Sequence, residues 1–402
     1  MLSAGAGVAI AKDGATAGHE AARRALVAAR VTSADLAIVF AGSHHENDEY
    51  AGVLGAVSRA IPRASVMGCS ATGVLSAGEE LENGSAVAVL ALGEDDEAAP
   101  PVPRPILVEG VRADARAAGR RLGREVMRVV GGHAGDKGGD GDSGVVIAML
   151  IDPAELDAVD FLAGVADTAP DVTITGAGAS GGADGCRVFY EGAARTDACV
   201  AIVLPRELRP TIGMTQGCQA LGEPLTITEA DGNLILEIDG RPPLEALDRA
   251  ISNPSFPGLQ KMTPHLLAGI GERGADGRSD YVVRHFAVAE GDRPALAVAE
   301  PVRAGQTIRF TVRDAIGARD DMKAMLDEAA DARGEHPPRF GVYFNCAGRG
   351  SALYGQPGLD PALIRRRFGD LPVVGIESSF EIGPACGRAR IHMFTGVLLL
   401  AG

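Results

Sequence analysis

Residues 341–400 read GVYFNCAGRGSALYGQPGLDPALIRRRFGDLPVVGIESSFEIGPACGRARIHMFTGVLLL. Three apolar runs divide this stretch: Gly341 to Phe344, Pro372 to Ile376, and Ile391 to Leu400. Short runs of this kind suit strands buried on both faces. The first two end in residues that no packed strand would choose, Asn345-Cys346-Ala347-Gly348-Arg349-Gly350 and Glu377-Ser378-Ser379. Ligands of open α/β sheets bind outside the carboxyl ends of the strands. Function is therefore sought at those ends.

The same plan occurs twice more upstream, and periodic recurrence decides the fold. The last copy has a helix at Ala318 to Ala332, a strand at Phe340 to Phe344, a helix at Pro361 to Phe368, and strands at Val373 to Ile376 and Ile391 to Leu400. The first copy opens with a helix from Thr16, whose Ala22, Leu26 and Ala29 share one face. It continues with strand Leu36 to Ala41, helix Asp48 to Ile61, a strand ending in Met67 to Gly73, and strand Ser85 to Leu92. The second has helix Val111 to Val130, strand Val145 to Ile151, a helix opened by Asp152-Pro153, a strand ending in Gly176 to Gly182, and a closing hairpin from Val188 to Leu204.

The predicted fold is α/β, with repeated helix-strand-helix-strand-strand units forming mixed sheets flanked by helices. A β-rich insert is expected at about 209–314, where Asp231-Gly232-Asn233 turns a hairpin between Leu225 and Ile238. Two domains follow, 16–206 with an acidic, Pro-rich linker at 94–105, and 207–402. The Gly-rich stretch Gly131 to Gly144 has little to bury and is expected to be mobile.

Composition removes several function classes. The net charge is −15 and no run of five Lys or Arg occurs, so nucleic acid and anionic membrane surfaces are not expected partners. No uncharged apolar stretch approaches the ~20 residues of a membrane span. The start MLSAGAGVAIAKDG lacks the basic residues and long apolar core of a secretory signal. The six cysteines are scattered without a CxxC pair, which suits reduced thiols and a cytoplasmic location.

Several motifs together resemble the FIST family, named from F-box and intracellular signal transduction proteins. The N-terminal FIST module is matched by Val66-Met67-Gly68-Cys69-Ser70-Ala71-Thr72-Gly73 and by the turn Gly176 to Gly182. The C-terminal module is matched by Gly222 to Thr228 with Leu236 to Pro242, and by Phe344 to Gly350. Gly375 with Glu381-Ile382-Gly383-Pro384, and His392-Met393-Phe394-Thr395, extend that match. The resemblance implies an intracellular sensory module that binds a small molecule such as an amino acid. With no kinase, cyclase, chemoreceptor or F-box segment in the sequence, it also implies a separate signalling partner. Some relatives are haem-based gas sensors, which makes haem sensing one alternative. A departure at Ser378-Ser379-Phe380-Glu381-Ile382 leaves the ligand open.

Candidate ligand-binding residues are drawn from the polar strand ends. Arg349, between two glycines, is placed to offer its fork to a carboxylate, with Asn345, Cys346 and Gly350 beside it. The competing reading pairs Arg349 with Glu377 or Glu381. Those two glutamates would take an ammonium group, with Ser378 lining the site. Cys69 and Ser70 end the first copy's strand, and Ser43 and His44 follow its first one. His44-His45-Glu46 reads as a solvated loop, since adjacent histidines point apart, and no metal or cofactor is expected. His392 lies within a strand, and no CxxCH is present for covalent haem. The GxGxxG and GxSxG matches at Gly176 to Gly182 lead into a strand, not the helix that such motifs need. A thiol-dependent hydrolase or transferase using Cys346 or Cys69 is the enzymatic alternative. No base is placed by the sequence to activate either.

Overall fold

The computed structural model describes residues 2–42, 47–76, 78–94, 102–132, 144–181, 185–252, 266–272, 280–291 and 293–402. Unit one runs β1 (Leu2–Ile10), α1 (Gly14–Ala29), β2 (Leu36–Gly42), α2 (Asn47–Ala60), β3 (Ser65–Ala71), the hairpin β4 (Gly73–Ser76) and β5 (Glu79–Glu82), then β6 (Ala86–Glu94). Unit two repeats it with β7 (Ile106–Glu109), α3 (Ala115–Gly132), β8 (Val146–Ile151), α4 (Ala158–Thr168), β9 (Thr173–Gly178), hairpin β10 (Val188–Tyr190) and β11 (Ala193–Arg195), then β12 (Ala198–Leu204).

Unit three opens with β13 (Thr211–Gln216) and is then interrupted by the insert. The insert comprises β14 (Cys218–Ala220), β15 (Leu225–Asp231), β16 (Leu234–Ile238), α5 (Pro243–Ile251), β17 (Leu266–Gly271), β18 (Tyr281–Arg284), β19 (Phe286–Ala289), β20 (Ala295–Val298) and β21 (Thr307–Arg313). Unit three resumes with α6 (Ala315–Arg333), β22 (Phe340–Cys346), α7 (Gly350–Tyr354), α8 (Leu359–Phe368), β23 (Val373–Ser378), hairpin β24 (Phe380–Ala385) and β25 (Arg388–His392), then β26 (Thr395–Ala401).

The mixed α/β prediction holds, and the units interlock in a way no local pattern announces. The insert has a sheet of its own, and each unit's sheet is ordered first strand, last strand, second, third, and then a hairpin lent by another unit. The orders are β1-β6-β2-β3-β10-β11, β7-β12-β8-β9-β24-β25 and β13-β26-β22-β23-β4-β5. Unit two lends its hairpin to sheet one, unit three to sheet two, and unit one to sheet three. The loans close a ring.

Period-2 alternation explains the layers. On β2, Leu36, Ile38 and Phe40 enter a central core, while Ala37, Val39 and Ala41 face α1 and α2. The central core draws equally on the other sheets, through Leu150 and Ile202 of sheet two and Phe344 and Leu399 of sheet three. Helices α3 and α4 cover the outer face of sheet two, and α6 and α8 that of sheet three. The insert keeps its own core around Ile227, Leu296, Ile308 and Phe310.

Several limits differ from those expected. Each unit begins with a strand, not a helix: β1, β7 and β13 are short or rich in Gly and Ala, and carry little apolar signal. Gly5 and Gly7 of β1 leave room for the α1 backbone, where a Cβ would strike the carbonyls of Ala25 and Ala21. Helix α1 is capped by Asp13, whose Oδ1 accepts from Thr16 N–H at 2.8 Å. The insert starts at Cys218 rather than 209, because β13 pairs with β26. Helix α4 starts at Ala158, not at Asp152, which is buried and bonded to Arg112. The run Ile391 to Leu400 is broken at Phe394, which turns with φ 59°. Helix α3 continues to Gly132, and 133–143 lie outside the described residues.

Candidate functional site

Strands β22 and β23 run parallel, with Asn345 beside Glu377 and Cys346 beside Ser378. The structure therefore gathers Asn345, Cys346, Arg349, Gly350, Glu377, Ser378 and Glu381 at one end of sheet three, as the sequence suggested. All of them are buried. Cys69 and Ser70 lie at the equivalent end of unit one, and Ser43 and His44 lie outside the described residues.

Arg349 does not present its fork to a ligand. Its Nε donates to Asp360 Oδ2 at 2.9 Å and its Nη2 to Asp360 Oδ1 at 3.1 Å. Neither Glu377 nor Glu381 is its partner. Asp360, on α8, also accepts from Tyr343 at 2.8 Å and Tyr354 at 2.9 Å. This buried pair anchors α7 and α8 to the sheet, so the arginine positions a loop.

Glu381 lies in its own polar nest. Ser378 donates to Glu381 Oε1 at 2.8 Å, and Thr395 N–H approaches Oε2 at 3.3 Å. Burial pushes the Glu381 carboxyl up to about 8 despite these donors. Burial and then the Glu381 charge push the Cys346 thiol up to about 12. Cys69 is fully desolvated and its thiol lies well above the ordinary range. A thiol held so high is a poor nucleophile near neutral pH. His392 is also sealed, with Nε2 3.2 Å from the Gly383 carbonyl, and burial pushes it down to about 3.

The strand ends of all three units meet next to this cluster. Ser70 donates to the Ser180 carbonyl at 2.8 Å, Thr72 N–H donates to Ser180 Oγ at 2.8 Å, and Ser180 donates to the Glu377 carbonyl. Sequence reasoning missed Thr72, Ser180 and, above all, Glu80 and Glu82. These two glutamates arrive on the borrowed hairpin β4–β5, and one oxygen of each lies within 4.8 Å of one on Glu377. The period-2 spacing of Glu80 and Glu82 about Leu81 was the available signal, and it reads equally as a solvated edge.

Burial, then repulsion by Glu82 and Glu80, pushes Glu377 up to about 8, and burial chiefly pushes Glu80 up to about 7. Folded protein therefore holds protons that the unfolded chain has lost above the ordinary 4.5. This stabilisation is full below that value and is lost as pH rises through about 7 to 8. In metal-free buffer the thermal midpoint is expected to fall between pH 5 and 9, and Glu377→Gln to flatten that slope. A slope unchanged by the substitution would contradict the assignment.

A large open space lies elsewhere. A cleft of about 740 Å³ separates α4 of unit two from the insert, with the β24–β25 hairpin as its floor. Its volume falls in the range of small-molecule sites. Leu162, Ala166, Val172 and Ile391 give it apolar walls, and Arg284, Arg303, Arg388 and Arg390 line it. Arg284 and Arg390 share Glu300 at 2.8 and 3.0 Å. Arg388 lies 2.9 Å from Glu272, which Arg303 also bonds. Arg284 is spent on Glu300 and on the Val283 and Ile391 carbonyls, whereas Arg303, Arg388 and Arg390 share Glu272 and Glu300 and keep donor capacity toward the cleft.

Comparison with known proteins gives the architecture its family. The FIST N domain matches residues 35–241, and the FIST C domain matches residues 243–384. The chain belongs to the FIST family. FIST domains are sensory domains. Similar proteins span essentially the whole chain: one from Mycobacterium tuberculosis (strain ATCC 25618 / H37Rv), described as uncharacterized, is 29% identical over 402 residues and 98% of both chains. Another described in the same way, from Mycobacterium bovis, is 30% identical over 403 residues and 98% of both. Among solved structures, a cyanuric acid hydrolase from A. caulinodans aligns with a TM-score of 0.30 and 10% identity, over 51% of this chain and 71% of that one. That likeness is too weak to bear on fold or activity.

The two FIST matches meet between Arg241 and Pro243, inside the insert. The carboxylate cluster therefore crosses the FIST boundary: Glu80 and Glu82 come from the N domain, and Asn345 and Glu377 from the C domain. Among the described residues no helix is long and apolar enough to cross a membrane.

Proposed function

We propose that this FIST protein senses a small carboxylate metabolite, an amino acid among the class, in the cleft between unit two and the insert. The observation that supports this reading is the sharing of Glu272 and Glu300 among Arg284, Arg303, Arg388 and Arg390 beside apolar walls. A bound carboxylate gains charge-assisted hydrogen bonds from such guanidinium groups, and its apolar part covers Leu162 and Ile391. The cleft is bounded by unit two, the insert and unit three's hairpin, so occupancy changes how the insert sits on units two and three. A separate signalling protein reads that change.

A thermal-shift screen over amino acids and related carboxylates tests this, since a ligand that binds only folded protein raises the midpoint. At least one compound is expected to raise it saturably. Arg388→Glu and Arg390→Ala are expected to weaken that ligand tenfold or more. A panel without any response, or a response that survives both substitutions, would refute the reading.

A further inference from the structure

Glu80 and Glu82 alternate around Leu81, so both point to one face of β5, and Glu377 lies near the end of β23. One oxygen from each lies within 4.8 Å of the other two, and among the described residues no Lys or Arg pairs with them. Each carboxylate is steadied by a donor from the protein. Gly358 N–H donates to Glu80 Oε2 at 2.7 Å, Ser351 N–H to Glu82 Oε1 at 2.7 Å, and the Thr72 hydroxyl to Glu377 Oε2 at 3.3 Å. Donors of this kind orient metal-binding carboxylates.

One oxygen of each carboxylate faces Gly350. A Cβ built on Gly350 would touch Glu82 Oε1 and lie 3.2 Å from Glu377 Oε1 and 3.3 Å from Glu80 Oε1. Asn345 adds an independent observation. It is fully buried, and its Oδ1 has no hydrogen-bond partner, while Nδ2 of the same amide lies 3.1 Å from Glu80 Oε1. Turned over, that amide places an oxygen beside the cluster, and which way an amide points is set by what it meets.

We propose that Glu80, Glu82, Glu377 and Asn345 bind one divalent cation of the Ca²⁺, Mg²⁺ or Mn²⁺ class. The donor set is all oxygen, which is what hard cations take. Ligands of one Ca²⁺ at ~2.4 Å stand no more than ~4.8 Å apart, and the cluster meets that limit before any adjustment. Two of the ligands come from unit one's hairpin and two from unit three's strands. The ion therefore clamps the loaned hairpin to its host sheet.

The test is calorimetric titration of the EDTA-treated, full-length protein with CaCl₂, MgCl₂ and MnCl₂ at pH 7.5. At least one ion is expected to bind with a stoichiometry of one. Glu377→Gln and Glu80→Gln, which keep side-chain shape, are expected to weaken it tenfold or more. Asn345→Asp adds a charge and is expected to tighten it, and Gly350→Ala sets a methyl group against all three carboxylates and is expected to weaken it. If Gly350→Ala does not fold, the glutamine variants carry the test alone. A wild-type protein that binds none of the three ions overturns the site, as do glutamine variants that bind normally. Asn345→Asp binding no tighter than wild type overturns it as drawn. Arg390→Ala, in the cleft, is expected to leave metal binding unchanged, which separates this site from the carboxylate site.

Discussion

Asp360→Ala is expected to destabilise the protein by about 3–5 kcal/mol, the cost of removing one member of a buried ion pair. Arg349 and Asp360 have side-chain exposures of 0% and 1%, so water cannot replace the missing partner. Asp360 accepts from Arg349 Nε and Nη2 and from the hydroxyls of Tyr343 and Tyr354. Its removal leaves Arg349 Nε without its acceptor and Nη2 with only the Tyr354 hydroxyl at 2.7 Å, and Arg349 Nη1 already lacks a partner. Urea unfolding of Asp360→Ala beside the surface variant Asp370→Ala checks the argument. Asp370 is paired with Arg365 but its side chain is 94% exposed, and its loss is expected to cost well under ~1 kcal/mol. Equal midpoints for the two variants would show that the buried pair contributes nothing special. The double change Arg349→Met with Asp360→Leu is expected to recover part of the loss, since it leaves no buried charge unpaired.

Gly68→Ala and Gly176→Ala are each expected to cost more than ~4 kcal/mol, enough to prevent accumulation of folded protein. The parallel registers set Gly68 beside Val39, Gly176 beside Met149 and Gly375 beside Tyr343, equivalent places in the three units. A Cβ at each would overlap the carbonyl oxygen of that same neighbour. The obstacle is backbone in the middle of a sheet, which cannot yield as a side-chain tip can. Gly176 also has φ +147°, a conformation that an L side chain rarely adopts. Gly131→Ala, near the end of α3 with nothing within 4 Å, is the control and is expected to be neutral or slightly stabilising. Circular dichroism and soluble yield report both outcomes. Folded Gly68→Ala protein of wild-type stability would show that the three glycines are not steric requirements.

The interior strands of each unit were legible because each is an apolar run bounded by turn residues, as at Leu36 to Gly42 or Phe340 to Cys346. The hairpin at Asp231-Gly232-Asn233 was legible for a similarly local reason: the turn is built from residues that tolerate it. Strands β1, β7 and β13 were not, because they contribute a sheet edge more than an apolar face. In β1, glycines take the places where apolar side chains would have signalled burial.

The candidate site divides in the same way. Asn345, Cys346, Glu377 and Ser378 could be assembled from the sequence, because two parallel strands of one repeat must end side by side. Arg349 was visible, but its partner was not: Asp360 reads as an ordinary residue in the first turn of α8, and the fold alone turns it inward. Glu80 and Glu82 lie about three hundred residues before Glu377, on a hairpin whose own unit does not use it.

The sequence by itself determined the repeating unit, its buried strands and the polar character of their ends, since these follow from periodicity and residue type over short spans. Only the tertiary structure decided which sheet each hairpin completes. A strand edge of unpaired N–H and C=O groups accepts any partner of suitable twist, so that choice depends on how three units close around a shared core. The residues at 341–400 supply two sides of the carboxylate cluster, and the closing of that ring supplies the third.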